Sequence, residues 1–191
     1  MGVEEFLGTH ETVIVAGNNL LGEGIFIGPY SMIRDIKLGN DSKLFNHVNA
    51  YGCEIGARVK VGGFVEITSG VKIGDDVTVS SHSFVCTGVT IDDGAWLGHG
   101  VKTINDLYPP SKKRTGSSQY WRPTYIGKQV IVGTGAVLFP VRIGDMAIIG
   151  AGAVVRKDVP AGEVWAGNPA KYICNRHDLK YDDINFVFPR E

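Results

Sequence analysis

The stretch that decides the fold runs from residue 55 to residue 97, and it begins Ile55-Gly56-Ala57-Arg58-Val59-Lys60-Val61-Gly62. Steps of six residues from Ile55 reach an aliphatic residue every time as far as Leu97. These positions are Ile55, Val61, Ile67, Ile73, Val79, Val85, Ile91 and Leu97. Neither the helical period of about 3.6 residues nor the strand period of about 2 produces this spacing.

The six-residue period continues on both sides of this stretch, with one-residue slips. The further positions are Val15, Leu21, Ile27, Ile33, Leu38, Leu44, Ala50, Ile126, Val132, Leu138, Ile143, Ile149 and Val155. A second apolar residue often follows four positions later, and glycine often follows directly. Inward aliphatic residues with glycine at tight corners predict an all-β fold, a parallel β-helix with three six-residue faces per coil. The inward positions correspond to about seven coils spaced about 4.8 Å apart.

Interruptions of the period suggest the domain organisation of this 191-residue chain. We predict a lead-in over residues 1–14, a β-helix domain over 15–157, and a C-terminal cap and tail over 158–191. Residues 102–125 form a long protruding loop, which is too long for an ordinary connection and is therefore a candidate functional segment. The short cap begins with a helix or an irregular segment near Ala170, and it protects the open end of the sheets from edge pairing.

Composition limits the possible partners and compartments. Glycine is the outlier, with 26 residues, and the formal net charge is −1, so no global field attracts nucleic acid or an anionic membrane. No apolar run is long enough to span a bilayer, and the acidic N-terminus does not resemble a secretory signal. Three cysteines, Cys53, Cys86 and Cys174, lack a CxxC spacing and fit reduced thiols. We therefore expect a cytoplasmic protein that binds neither nucleic acid nor membranes.

Two motifs beyond the period identify a family. The period, together with Ile149-Gly150-Ala151-Gly152-Ala153-Val154-Val155 and the terminal Ala166-Gly167-Asn168-Pro169-Ala170-Lys171, resembles the left-handed β-helix acyltransferases of hexapeptide-repeat type, which use acetyl-CoA. The segment from Gly98 to Asp106, with Tyr108-Pro109, looks like the loop of N-acetyltransferases that act on nucleotide-linked amino sugars. The resemblance implies a left-handed coil and a homotrimer in which CoA lies between neighbouring subunits along the later coils.

The loop supplies the first candidates for the reacting centre. Acetyl transfer from a thioester to an amine needs a neutral amine, a donor to the developing oxyanion and an acceptor for the amine proton. The resemblance implies that Asn105 contacts the reacting centre, with Asp106 beside it. An amide does not titrate near neutral pH, so Asn105 is not the base. The alternative is that this Asn-Asp pair only shapes a turn.

Histidines are the candidates for the base, because their side chains titrate near neutral pH. The repeat register places His47, His82 and His99 outward on one side of the prism, and the loop 102–125 is predicted to leave from that side too. His82 and His99 lie on adjacent coils, about 5 to 8 Å apart. His99 ranks first because it is close to the start of the loop, and His82 ranks second. The alternative is that they are corner histidines with hydrogen bonds in a subunit interface.

The acetyl-CoA implied by the resemblance needs small residues along its length and cations at its phosphates. Arginine and lysine suit phosphates because their charge persists at pH 7 and they supply several donors. The predicted contacts are Gly135, Gly150, Ala151, Arg156, Lys157, Asn168, Pro169 and Lys171. Trp165 either stacks on adenine or packs against the cap. No metal is expected, because the carbonic anhydrases of this fold place two zinc ligands on one strand, whereas His82 and His99 are far apart in sequence.

These observations predict an acetyl-CoA-dependent N-acetyltransferase that acts on an amino sugar carried by UDP or dTDP. Asn105 lies at the reacting centre and His99 or His82 handles the proton. One alternative is O-acetylation of a sugar or serine hydroxyl, which requires a histidine base more strictly. Another is a β-helix scaffold without catalysis, against which the terminal motif and the long loop both argue.

Overall fold

The computed structural model describes residues 8–107 and 120–179, and it confirms a parallel β-helix with three faces. Successive strands occupy faces 1, 2 and 3 in turn, and each face is a sheet of stacked short strands. Face 1 contains β1 (Gly8–Thr9), β4 (Phe26–Ile27), β7 (Lys43–Leu44), β10 (Lys60–Val61), β13 (Thr78–Val79), β16 (Trp96–Leu97), β19 (Ile131–Val132), β22 (Ile148–Ile149), β24 (Glu163–Ala166) and β25 (Lys171–Asn175).

The other two faces consist of parallel strands only. Face 2 contains β2 (Ile14–Ala16), β5 (Met32–Arg34), β8 (Asn49–Tyr51), β11 (Glu66–Ile67), β14 (Phe84–Val85), β17 (Lys102–Thr103), β20 (Val137–Leu138) and β23 (Val154–Val155). Face 3 contains β3 (Leu20–Leu21), β6 (Lys37–Leu38), β9 (Glu54–Ile55), β12 (Lys72–Ile73), β15 (Val89–Ile91), β18 (Thr124–Ile126) and β21 (Arg142–Ile143). No helix within the described ranges is long and apolar enough to cross a membrane.

The core is the column of aliphatic residues that the period identified. From Ile27 to Val155, every predicted inward residue is buried, and so are the second apolar residues such as Val59 and Ala136. Val15 and Leu21 hold inward positions but are 53% and 39% exposed. They belong to the first strands of faces 2 and 3, and no described coil covers them.

The β-helix has about eight coils, one more than the period predicts. The additional strands begin and end face 1, where Thr9 pairs with Ile27 and Trp165 pairs with Ile149. Neither Thr9 nor Trp165 is aliphatic, so a search for aliphatic residues misses both strands. A third missed strand, β17 on face 2, brings the additional strands to the three of one coil.

The end of the β-helix differs from the predicted helix or irregular segment. β25 runs antiparallel to β24 and covers its outer edge, and a single 3-10 turn follows at Arg176–Asp178. A strand is favoured here because it pairs with the backbone groups that β24 would otherwise expose at the sheet edge.

The loop also leaves from a different place than predicted. Six residues beyond Leu97 stands Thr103, which is buried at an inward position in β17 on face 2. Since Lys102–Thr103 and Thr124–Ile126 are both paired strands, the excursion itself occupies residues 104–123, of which 108–119 lie outside the described residues. It departs from the corner between faces 2 and 3, not from the side that carries the histidines.

Thr103 tolerates burial because its hydroxyl is fully engaged. Its Oγ1 accepts the backbone N–H of Cys86 at 2.8 Å and donates to the carbonyl oxygen of Phe84 at 3.1 Å. The hydroxyl therefore ties the last coil before the loop to the coil below.

We predict that Thr103→Val destabilises the protein although the two side chains have nearly the same shape. Valine leaves the buried Cys86 N–H without its side-chain partner, which costs about 1 to 3 kcal/mol. Urea unfolding of Thr103→Val and of the outward control Thr90→Val measures this difference. Equal midpoints for the two variants would contradict the assignment.

Candidate active site

Four aromatic side chains form a stacked column at the corner between faces 1 and 2, which we call the histidine edge. The column is Tyr30, His47, Phe64 and His82, one ring per coil. Successive ring centroids lie 5.2, 4.6 and 5.0 Å apart, and the interplanar angles are 18°, 9° and 2°. Stacking therefore fixes the plane of the His82 imidazole.

This column holds its rings in a costly backbone conformation. The φ values of Tyr30, His47, Phe64 and His82 lie between 59° and 64°, in the left-handed region that costs a non-glycine residue about 1 to 2 kcal/mol. At the other corners of the described chain, the non-glycine residues with positive φ are not aromatic: they are Asp35, Asp41, Arg58, Asp76, Gln129 and Met146. The rings are thus confined to one edge.

Above His82, the same edge carries glycine instead of rings. Register places Gly100, Gly135 and Gly152 on the next three coils, with φ of 68°, 71° and 67°. A Cβ built on any of the three would have no non-neighbouring atom within 4 Å. The upper half of the histidine edge is therefore a narrow open channel along these three glycines, about 10 Å long over two coil steps, which we call the glycine lane.

His99 lies where the ring column ends and the glycine lane begins. The Gly100 N–H donates to the Ser81 carbonyl oxygen at 2.9 Å, so His99 stands opposite Ser81 and one residue out of register with His82. Together, His47, His82 and His99 line one groove of about 680 Å³ on face 1 and its corner. The structure thus brings the three histidines to one groove, and their side chains are exposed.

The predicted CoA contacts fall into two neighbouring places at the C-terminal end. Gly135 lies on the glycine lane, with Gly150 and Ala151 at the corner one coil above it. Asn168 follows the end of β24, where the Val154 N–H donates to the Gly167 carbonyl oxygen at 2.9 Å. A cavity of about 550 Å³ is lined by Arg156, Lys157, Trp165, Pro169, Ala170, Lys171 and Tyr172. Of its three cations, Lys171 pairs with Ala166 on face 1, whereas Arg156 and Lys157 follow β23 at the corner between faces 2 and 3.

Trp165 has a structural role within this cavity. Its Nε1 donates to Glu163 Oε2 at 2.7 Å, and its ring packs partly against the core while lining the cavity. The ring therefore packs against the core of the β-helix and also lines the cavity.

Asn105 and Asp106 lie on a different edge, between faces 2 and 3, which we call the loop edge. Asn105 is half-buried, and its side-chain Nδ2 donates to the Thr87 backbone carbonyl oxygen at 3.1 Å. The backbone carbonyl oxygen of Asn105 accepts the Arg122 backbone N–H at 2.9 Å. These bonds close the base of the loop. Between His99 and Asn105 the chain turns at Gly100 and then crosses face 2 through Lys102–Thr103, so one protomer holds the two candidates on different edges, at most about 20 Å apart.

The thiols do not offer a nucleophile. Burial raises the pKa of Cys53 to about 12, and burial likewise raises the pKa of Cys86. The thiolate is the reactive form, so neither cysteine suits covalent acyl transfer at neutral pH. Across residues 8–107 and 120–179, no group of three His, Cys, Asp or Glu side chains is placed to hold a metal ion.

The sequence reasoning missed Tyr30, Phe64 and Lys60, which share the groove or its wall with the histidines. A signal was present for the rings, because each stands three residues after an inward aliphatic residue of face 1, as Phe64 follows Val61. For Lys60 there was none, since similar exposed lysines recur on the other faces. The basic run at residues 112–114 lies outside the described residues.

Two segments of the chain match hexapeptide families. Residues 52–87 match the bacterial transferase hexapeptide (six repeats), and residues 123–157 match the hexapeptide repeat of succinyl-transferase. The chain belongs to the hexapeptide-repeat transferases. Both matched segments lie in the coils that form the groove, the glycine lane and the loop edge.

Individual hexapeptide-repeat proteins resemble this chain over part of their length. It is 30% identical over 170 residues to the bifunctional protein GlmU of Methylibium petroleiphilum, a match covering 79% of this chain and 34% of that protein. It is 47% identical over 85 residues to nodulation protein L of Rhizobium meliloti, covering 44% of this chain and 46% of that protein. The chain thus spans less than half the length of either relative.

A solved structure supports the fold independently. The UDP-N-acetylglucosamine acyltransferase from Campylobacter jejuni superimposes with a TM-score of 0.67 at 16% identity, and the match covers 93% of this chain and 81% of that chain. At this identity the similarity is evidence for the β-helix alone.

Proposed function

We propose that the protein is an acetyl-CoA-dependent N-acetyltransferase that acts on the amino group of a UDP- or dTDP-linked amino sugar. The observation that carries the proposal is the histidine edge. An unobstructed glycine lane runs upward from His99, and a cationic cavity lies at the same C-terminal end of the β-helix, with Lys171 on face 1 and Arg156 and Lys157 beyond face 2. This arrangement suits a donor with an anionic head, a narrow arm and a reactive end.

The residues of the edge fit acetyl-CoA in this order. Arg156, Lys157 and Lys171 would bind the phosphates, because cations with several donors bind them tightly. Gly135 and Gly152 leave room for the thin arm, and Gly150, Ala151, Asn168 and Pro169 shape the corner where it enters. Acetyl-CoA would supply the thioester whose acyl carbon the amine attacks.

His99 is the group that takes the proton in this proposal. As the amine forms the new C–N bond and the C–S bond breaks, the amine loses a proton that an exposed imidazole at the end of the lane accepts. His82 is less suited, because its ring is one member of the stacked column. Its role in the proposal is to hold the lower end of the lane.

Asn105 and Asp106 enter the proposal through a second copy of the chain. In one protomer face 2 separates the loop edge from His99. In a homotrimer the loop edge of one copy approaches the histidine edge of the next, so that Asn105 supplies an amide donor to the developing oxyanion. The outward side chains on the upper coils of faces 1 and 2 favour such contact, since Trp96, Ile131 and Val137 are apolar.

Support for a nucleotide-linked acceptor comes from the loop motif around Asn105 and from the relatives. The protein from Campylobacter jejuni is named for UDP-N-acetylglucosamine. We propose a nucleotide-linked acceptor here whose reacting group is an amine, and we propose that the enzyme works in the cytoplasm.

The direct test is thiol release from acetyl-CoA in the presence of UDP- and dTDP-linked amino sugars. We expect at least one of them to accelerate release well above buffer, and mass spectrometry to show the acetylated sugar. If none does, the proposed activity is wrong. If calorimetry also shows no CoA binding, a scaffold without catalysis becomes the better interpretation.

We predict that His99→Ala and His82→Phe have different effects. Removing a general base lowers kcat by about 10²- to 10⁴-fold, whereas phenylalanine preserves the stacked ring at position 82. The same thiol-release assay measures both variants, with His177→Ala as a control at the far C-terminal turn. A small loss for His99→Ala would mean that the amine needs no histidine base, and a large one is also compatible with a hydroxyl acceptor.

Mixed trimers test whether neighbouring copies share the site. If His99 of one copy works with Asn105 of the next, co-expressed His99→Ala and Asn105→Ala chains restore both groups at about a quarter of the interfaces. Activity should therefore rise well above that of either variant alone. A mixture of His99→Ala with His99→Gln is the control, because no interface regains the histidine. Unchanged activity in the first mixture would contradict a shared site.

A further inference from the structure

The groove below His99 has no role in binding the acetyl donor. It extends down face 1 and its corner from His99 to His47, and it includes Lys60, Phe64 and Ser81. The glycine lane and the cationic cavity both lie on the opposite, upper side of His99. The two binding spaces therefore meet at His99 and extend away from it in opposite directions.

We infer that this groove binds the nucleoside diphosphate part of the acceptor, and that Lys60 is the residue that binds the diphosphate. The inference rests on the proposed function for one point only, that the reacting amine lies at His99. Binding of the diphosphate itself does not depend on catalysis.

The size of the groove fits this class of ligand. Its volume is about 680 Å³, within the usual range of about 300 to 1,000 Å³ for small-molecule sites. From the coil of His99 to the coil of His47 there are three coil steps, or about 14 Å. A ligand with its amine at His99 therefore has room for further groups that extend as far as Lys60 and His47.

The charge of the groove favours an anion. Lys60 is exposed at the first position of β10, and the residues that line the groove include no aspartate or glutamate. An ammonium without a competing carboxylate in the lining suits a diphosphate, which can accept several charge-assisted hydrogen bonds. Because the chain as a whole has a net charge of −1, this preference is a local property of the groove.

Polar groups and rings complete the lining in the way a nucleotide sugar requires. Thr78, Ser80 and Ser81 line the groove beside Lys60 and can pair with sugar and ribose hydroxyls. The stacked rings of His47 and Phe64 form one wall, and stacking on both sides keeps them in place. A wall held in this way binds a ligand without loss of side-chain freedom.

Calorimetry with UDP, dTDP and inorganic pyrophosphate tests the inference on the full-length protein without acetyl-CoA. We expect UDP or dTDP to bind more tightly than pyrophosphate, because the nucleoside also contacts the groove. Lys60→Met should weaken that binding by about 10-fold or more, whereas Lys60→Arg should retain it within about 3-fold. In turnover, Lys60→Met should raise the KM for the acceptor while the KM for acetyl-CoA and kcat change little.

Lys72→Met is a closely matched control. Lys72 is also an exposed lysine at the first position of a two-residue strand, but β12 lies on face 3, away from the groove. We expect this variant to bind UDP and dTDP as the wild type does. Thermal unfolding of all variants confirms that the β-helix remains intact.

Three results would overturn the inference: wild-type protein that binds neither UDP nor dTDP at millimolar concentration, equal binding by Lys60→Met and wild type, or pyrophosphate binding as tight as UDP binding. These outcomes are separate from failure of the proposed function. If the wild type releases thiol but Lys60→Met binds nucleotide as tightly as the wild type, only the assignment of the groove is wrong. If UDP binding depends on Lys60 but no acceptor causes thiol release, only the proposed acetyltransferase activity is wrong.

Discussion

The in-register stacking of successive coils is the constraint on which the rest of the structure depends. Each strand pairs in parallel with the strand one coil away, so that Leu44 pairs with Val61 and Val61 with Val79. Because these pairs repeat at offsets of 17 or 18 residues, a given position in the coil becomes a column along the molecule. The buried aliphatic core, the ring column and the glycine lane are three such columns.

The columns at the corners show how function is added without a change of fold. Phe64 and Gly135 occupy equivalent corner positions with φ near 60° and 70°, yet one adds a ring to a wall and the other leaves space. Stacking offsets part of the strain that a ring incurs in this conformation. The change from ring to glycine occurs between His82 and Gly100, which is where His99 stands. The backbone is continuous there, and only the side chains divide the edge into a groove and a lane.

The histidine edge, the loop edge and face 3 differ in the side chains that they present to a neighbouring copy. The histidine edge carries the groove and the lane, whereas the loop edge carries Asn105 in a bonded, half-buried position. Face 3 has charged outward side chains, among them Lys37 and Glu54, which form an exposed ion pair at 3.5 Å. A face of this kind suits solvent and not a subunit interface. The relatives share the β-helix, and a shared fold does not determine substrate, so these side chains are what distinguish this protein.

The sequence by itself determined the fold and most of the core, because hydrophobic burial acts on single positions and therefore appears directly as a period. It also brought His82 and His99 together correctly, since their separation follows from the repeat. It missed the strands of Thr9, Trp165 and the inward Thr103, where hydrogen bonding or the end of the sheet replaces aliphatic packing. Because it began the break in the period directly after Leu97, it also misplaced the departure of the loop.

Only the tertiary structure decided which outward residues share a surface. Lys60 and His99 are separated along the chain and differ in type, and nothing in the sequence distinguishes Lys60 from the exposed lysines of the other faces. Lys60 and His99 meet because the stacking register carries successive coils past the same corner. His99 and Asn105 are only six positions apart in sequence, yet the strand Lys102–Thr103 crosses face 2 between them and places them on different edges. Burial is a local property that a sequence displays, whereas a surface groove depends on long-range pairing of the backbone.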